Sequence, residues 1–345
     1  MEQPSSPFNT MIDTASRPAP GRHTPGSRRW LPVVIVVVAG VSLAIAAGDA
    51  RQIGDALGGF TWRLILPVLL LTLWNYAWRF LKWHRYLRQV GEGDLPPRLS
   101  LLIFLSAFSM SVTPGKIGEL IKATELRRLR GTPVSRTTAI VAAERLTDAV
   151  AMLILASVGA VQFAQARLLL AAVAVIAAMG MLLLRHPRLL LHLIDRLGSL
   201  PVIGRPRDYA GTFFASAGPL MGTRSFVGAT VIGVVAWLGE CTALFIILLG
   251  FDLSPSWHLF LVAVFTLAVS SLAGALSLLP GGLGVAEASV AGLLLLLVHD
   301  DRMTGGVAAA ATLIIRFATL WFAVALGVAA LALCRRGARP NIPGA

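Results

Sequence analysis

Residues 99–121 read LSLLIFLSAFSMSVTPGKIGELI, an apolar run broken by Pro114-Gly115. Lys82, Arg85, Arg88 and Arg98 precede it; Lys122, Arg127, Arg128, Arg130 and Arg136 follow it. A single crossing would put these two basic segments on opposite faces of a membrane, against the rule that Lys and Arg gather on one side. Twenty-three residues are too few for two crossings, each of which needs about 20. The stretch therefore has to enter and leave on one side. This predicts a re-entrant helical hairpin with its tip at Pro114-Gly115. Non-helical backbone at that depth requires protein or a water-filled cavity around it.

The rest of the chain is of the same kind. Among 345 residues, 56% are hydrophobic and only 14% are Asp, Glu, Lys or Arg, where a soluble protein carries about 25% charged residues. One soluble core cannot hide that much apolar surface. A soluble enzyme, a nucleic-acid binder and a disordered scaffold are excluded for the whole chain. Long continuous apolar runs also exclude a transmembrane barrel. Full spans are predicted at 31–48, 60–81, 137–160, 167–185, 225–250 and 305–334. Residues 1–29 read as a disordered tail, and the span after it as an uncleaved first crossing rather than a signal sequence. Outside spans and hairpins, twenty-two Lys and Arg fall in the tail, the 82–98, 122–136 and 185–224 loops and the C-terminus, against three elsewhere. That asymmetry predicts cytoplasmic termini. Neither Cys241 nor Cys334 belongs to a disulfide or zinc pattern.

A second broken run, residues 258–298, turns at Pro280-Gly281-Gly282. Its 41 residues could make two crossings, but the parallel with the first hairpin favours re-entry. Each half then has two spans, a hairpin broken at Pro-Gly and a final span, and the halves enter from opposite sides. Repeats of about 30–160 and 167–335 with inverted topology are expected, an arrangement common in transporters.

Charges inside spans are few and clustered. Glu144, Arg145 and Asp148 share one stripe of a helix. Glu240 and Arg316 lie deep in their spans. Glu119 and Glu287 follow the two breaks, and Arg145 and Arg316 come 26 and 29 residues after them. Buried structural ion pairs are one reading; a polar pathway is the other. Arg79 reads as a snorkelling side chain near a span end. Trp62, Trp74, Trp78, Trp83 and Trp257 read mostly as interfacial anchors. Half-helices starting at Thr113-Pro114 and at Pro280 would aim free N–H groups into the membrane and attract phosphate, with Lys116 and Arg316 adding charge. The competing reading is that Pro and Gly only shape a tight kink.

Arg79-Phe80-Leu81-Lys82-Trp83, the Pro114–Glu119 hairpin, Glu144-Arg145-Leu146-Thr147-Asp148, Trp237 with Glu240, the Pro280–Glu287 hairpin and Arg316 occur in an order and spacing that resembles the transmembrane region of lysylphosphatidylglycerol synthases and its stand-alone relatives. The resemblance covers roughly residues 30–335. It implies the flippase half of such synthases, which moves an aminoacylated lipid to the outer leaflet. The aminoacyl-transferase domain of the full-length synthases is not expected here, so no enzymatic activity is expected. Relatives have been linked to phospholipid, hopanoid and lipid-linked-glycan pathways, so the resemblance does not supply the cargo.

The expectation is thus an all-α polytopic membrane protein with about six full spans and two re-entrant hairpins, in a bacterial-type cytoplasmic membrane. Its transmembrane domain covers 30–335, includes a basic loop at 185–224 and is followed by a cytoplasmic tail at 336–345. Its expected activity is to move a polar, phosphate-bearing lipid between leaflets. The expected headgroup path is Pro114, Gly115, Lys116, Gly118, Glu119, Glu144, Arg145, Asp148, Glu240, Pro280, Gly281, Gly282, Gly284, Glu287 and Arg316. No cofactor, metal or nucleic acid is expected. An accessory role beside a lipid-modifying enzyme, docked through the amphipathic Leu189–Leu197, stays open, as does a membrane lipid-phosphate hydrolase. An oligomer is compatible with either.

Overall fold

A computed structural model describes residues 50–113, 118–160, a few positions between 171 and 182, and 206–337. The expected first span at 31–48, most of the span at 167–185, Leu189–Leu197, the tail at 1–29, the C-terminal tail from 338 on, and Pro114, Gly115 and Lys116 lie outside the described residues. The described chain is all-α: α1 Ala50–Gly59, α2 Ile65–Gln89, α3 Pro97–Ser106, α4 Ile121–Arg130, α5 Val134–Ala160, α6 Pro206–Leu220, α7 Thr223–Leu249, α8 Trp257–Leu276, α9 Val285–Leu297, α10 Gly305–Arg316 and α11 Phe322–Gly337. Five helical runs are long and apolar enough to cross a membrane: Trp62–Gln89, Thr223–Leu249, Trp257–Leu276, Pro280–Leu297 and Gly305–Cys334. The 27 residues of α5 are about 40 Å long at 1.5 Å per residue, and they carry the Glu144-Arg145-Asp148 cluster.

The first broken run folds back on itself. A 3₁₀ turn, Ala107–Met110, extends α3 to an apolar rod of fourteen residues, Pro97–Met110. That is about 21 Å, too short for a 30 Å hydrocarbon core. Thr113 sits at the bend, where its hydroxyl accepts from the Gly118 backbone N–H at 2.7 Å. The chain then returns through α4 to the end where it started: Arg130 pairs with Asp94, which lies just before α3. Glu92 accepts from Thr132 at 2.7 Å and from Arg136 at 3.4 Å. The Arg130 guanidinium holds the exposed Asp94 carboxyl below the usual carboxylate range.

The second broken run has longer arms, 20 residues in α8 and 18 in Pro280–Leu297, either of which could cross by length. Position decides where it turns. The Gly281 carbonyl accepts from Arg316 at 2.9 Å, and Arg316 lies partway along the continuous Gly305–Gly337 rod. The reversal therefore lies inside the bundle, and there it meets the first hairpin at Val112. A Cβ on Gly281 would lie 3.5 Å from Val112 Cα. Gly282 has φ +68°, and its Cα-side approach to Gly274 is so close that a Cβ would stand 2.9 Å from Gly274 Cα. Only glycine combines that dihedral with that approach.

Two apolar clusters fill the bundle. One contains Leu244, Phe265, Leu294 and Ile315; the other contains Trp83, Phe104, Ile140 and Leu220. The first hairpin is seated on α11, where a Cβ at Gly327 would collide with the Ser109 backbone nitrogen and Phe108. Gly327→Ala is therefore expected to cost about 1–3 kcal/mol of stability, despite alanine's better helix propensity. Gly292, on α9, faces open space. Thermal melting in detergent should show a lowered midpoint for Gly327→Ala and no loss for Gly292→Ala. Equal midpoints would contradict the seating.

Four expectations need correction. Helix α2 does not stop at residue 81 but runs to Gln89, so Lys82, Arg85 and Arg88 are helical rather than in a loop. The 122–136 segment is likewise mostly helical, in α4 and the start of α5. Trp83 is fully buried rather than interfacial. The 185–224 segment contains helix α6, packed against α5 and the start of α7.

Candidate functional site

A cavity of about 130 Å³ opens where the two hairpins and the two apolar clusters meet. Its wall includes Tyr76 and Arg79 from α2, Glu119 from the first hairpin, Trp237 and Glu240 from α7, Ser270 from α8 and Arg316 from α10. A second cavity of about 250 Å³ is lined by Arg145 and Asp148 of α5. Trp237, Ser271, Gly274, Ala275 and Gly282 border both. Polar groups are thus concentrated at one level of an otherwise apolar bundle, where each must find a partner or line an aqueous space.

The sequence spacing of the acids and arginines becomes contact. Arg145 lies 3.2 Å from Glu119, and Arg316 Nε donates to Glu287 at 2.6 Å. In each hairpin the acid following the break meets an arginine on the next long helix. Arg145 also lies 3.4 Å from Asp148, which pairs with Lys82. The carboxylates Glu119, Asp148 and Glu287 are each at least nine-tenths buried. A chain of alternating charge therefore runs from the first hairpin tip through α5 to α2.

Geometry at the second hairpin changes the reading of its half-helix. Pro280–Gly282 forms a 3₁₀ turn, and α9 begins only at Val285. The Gly284 N–H at its start donates to Glu287 Oε2 at 2.7 Å. The other Glu287 oxygen takes Arg316 Nε, and Arg316 Nη2 holds the Gly281 carbonyl. The helix N-terminus, expected to attract phosphate, already has a carboxylate of its own. Arg316 is the pin that fixes this carboxylate and the tip of the turn.

A π-helical turn, Phe317–Trp321, follows Arg316. Such turns leave carbonyls out of the regular ladder; here the Thr319 carbonyl accepts from the Tyr76 hydroxyl at 2.6 Å. That bond fastens α2 to the last rod beside the cavity.

Of the expected path residues, Glu119, Glu240, Gly281, Gly282 and Arg316 line the first cavity, and Arg145, Asp148 and Gly282 the second. Glu287 supports Arg316 from behind. Gly118 packs against Met110 and Thr113 inside the first hairpin. Pro280 and Gly284 shape the second turn. Glu144 is placed elsewhere and lines neither cavity. It pairs at 2.8 Å with Lys122, whose ammonium lies over Trp83 and Phe104, 4.7 and 4.9 Å from their ring centroids.

Lys82, Lys122 and Arg79 were not recognised as internal residues. The first two are 1% exposed. Arg79 does not snorkel: its guanidinium lies over Phe108 and Trp237 at 5.6 and 5.7 Å in the cavity wall. The sequence did hold a signal. Tyr76, Trp83 and Leu87 form a buried stripe at helical spacing that continues past residue 81, on the helix that carries Arg79 and Lys82. Among the described residues, no group of three or more His, Cys, Asp and Glu side chains is gathered as a metal site.

Residues 29–327 match the family model "Lysylphosphatidylglycerol synthase TM region". Two relatives from Methanothermobacter thermautotrophicus, each described as a "UPF0104 membrane protein", are similar to this chain: one is 34% identical over 111 residues, the other 32% identical over 98 residues. The first match covers 30% of this chain and 31% of that relative, the second 28% and 26%, so each likeness spans about a third or less of the relative's length. The family match takes in both hairpins, α5 and Arg316; the chain is a multi-pass membrane protein that belongs to the lysylphosphatidylglycerol synthase transmembrane-region family.

Proposed function

We propose that this protein moves a polar, phosphate-bearing lipid between the two leaflets of a cytoplasmic membrane, with both termini on the cytoplasmic side. The observation that carries the reading is the meeting of two broken hairpins beside a charged cavity within an apolar bundle. A headgroup crossing there exchanges water for guanidinium, carboxylate, hydroxyl and indole groups, while its acyl chains stay in lipid. That lowers the cost of taking a charge through the hydrocarbon core. The family match supports a role in lipid handling. In this reading the chain performs transport rather than bond-breaking chemistry, and its partner is the lipid itself.

The test is reconstitution in vesicles, with headgroup-labelled lipids followed by quencher accessibility. Ser271 borders both cavities, so Ser271→Phe should plug their junction. Wild type is expected to equilibrate the label across leaflets. Ser271→Phe should slow this at least tenfold while melting at the wild-type temperature. No movement of anionic, zwitterionic or aminoacylated lipid by wild type would overturn the transport reading. Undiminished movement by a folded Ser271→Phe would move the path elsewhere.

A further inference from the structure

We infer that Arg79, with Trp237 and Ser270, forms the phosphate-binding subsite of the first cavity, and that the phosphodiester of a lipid headgroup is its ligand. The inference rests on the transport reading only for the carrier of the phosphate; the anion site itself stands on geometry.

The two arginines of the cavity wall differ in what they have left to offer. Arg316 spends Nε on Glu287 and Nη2 on the Gly281 carbonyl. Arg79 makes no hydrogen bond and no ion pair within 4 Å among the described residues; its contacts are the faces of Phe108 and Trp237. A guanidinium over aromatic faces keeps its in-plane N–H donors for other partners. Those donors match phosphate oxygens, which arginine can take two at a time.

Two further donors line the same cavity without a partner among the described residues. The Trp237 indole N–H belongs to a side chain 8% exposed, and the Ser270 hydroxyl to one 1% exposed. Buried donors of this kind are costly unless a ligand or water takes them. The three groups come from three helices, α2, α7 and α8, and each can donate. An anion with several acceptor oxygens satisfies all of them at once. A cation would meet Arg79 in the aromatic slot it would otherwise use. At about 130 Å³ the cavity falls below the roughly 300–1,000 Å³ that encloses drug-sized ligands. It suits a compact phosphodiester better than an extended glycan.

The experiment is calorimetric titration of purified protein in detergent with short-chain phosphatidylglycerol, short-chain phosphatidylethanolamine and inorganic phosphate. Wild type is compared with Arg79→Gln, Arg79→Lys and Trp237→Phe, each first checked by melting. At least one lipid should bind to wild type. Its affinity should fall about tenfold or more in Arg79→Gln, and less in Arg79→Lys, which keeps the charge but loses the fork. Trp237→Phe keeps a ring beneath the guanidinium and removes only the indole donor, so an intermediate loss is expected. Unchanged lipid affinity in folded Arg79→Gln overturns the assignment, as does absence of lipid binding by wild type. Phosphate bound as tightly as the lipids overturns the headgroup as ligand. Leaflet exchange measured on the same preparations separates the two readings. Arg79-dependent binding without exchange keeps the subsite and sinks transport; exchange with Arg79-independent binding does the reverse.

Discussion

Lys122→Met should be among the most damaging single substitutions in this protein, lowering stability by about 3–5 kcal/mol. Lys122 and Glu144 form an ion pair whose side chains are 2% and 3% exposed. Removing the ammonium leaves the Glu144 carboxylate without its cation where little water can reach it. The substitution also takes the cation from Trp83 and Phe104, contacts worth about 2 kcal/mol when desolvated. A partner change tests the cause. Lys122→Met with Glu144→Gln removes both charges, so most of the loss should return, because the desolvation cost disappears with the pair. Thermal or denaturant unfolding in detergent measures each variant. If the double substitution is as unstable as the single one, the ion pair is not the source of the effect.

Arg316→Ala is expected to cost a similar amount, about 3–5 kcal/mol, and to loosen a defined segment. It frees Glu287 and leaves the Gly281 carbonyl without its donor. Arg316→Lys retains the charge, but a single ammonium does not reproduce the planar fork that reaches both partners. Its cost should be smaller, about 1–3 kcal/mol, the value of one unmade buried hydrogen bond. Hydrogen exchange localises the change. The Gly284 amide, held by Glu287 at 2.7 Å, should exchange faster in Arg316→Ala, together with the first turn of α9. The far end of that helix should be little affected. Protection of Gly284 equal to wild type would mean that Glu287 keeps its place without Arg316.

The broken hairpins were legible because two independent signals agreed on them. Pro and Gly interrupted an apolar run, and the basic residues on either side of 99–121 had to share a face. The pairings of Glu119 with Arg145 and Glu287 with Arg316 left a trace too, since their separations of 26 and 29 residues are similar. Lys82 and Lys122 were misplaced for one physical reason. Hydropathy drops at the first charge, whereas a helix continues as long as its backbone bonds and its buried face continue. Trp83, Tyr86 and Leu87 supplied that face beyond Lys82. Arg79 was misplaced because snorkelling and inward pointing give the same one-dimensional pattern. Only packing of Trp237 and Phe108 against it separates them. The Gly284–Glu287 bond was hidden for a different reason: Pro280 looked like the first residue of a helix, but Gly281 at φ +62° and Gly282 at φ +68° delay the start to Val285.

The contact between Val112 and Gly281 has a consequence for how the protein is made. Translation proceeds at about 5–20 residues per second, so the first hairpin waits on the order of ten seconds before the residues that meet its tip have been synthesised. During that interval its acidic group has to be tolerated in the membrane. Each buried ion pair described above joins residues of the same stretch: Lys82, Glu119, Lys122, Glu144, Arg145 and Asp148 within 50–160, and Glu287 with Arg316 within 206–337. Each stretch can therefore balance those charges before it encounters the other. What joins them later includes close backbone approaches, at Val112 with Gly281 and at Ser109 with Gly327, which ask for fit rather than for a charge held in waiting.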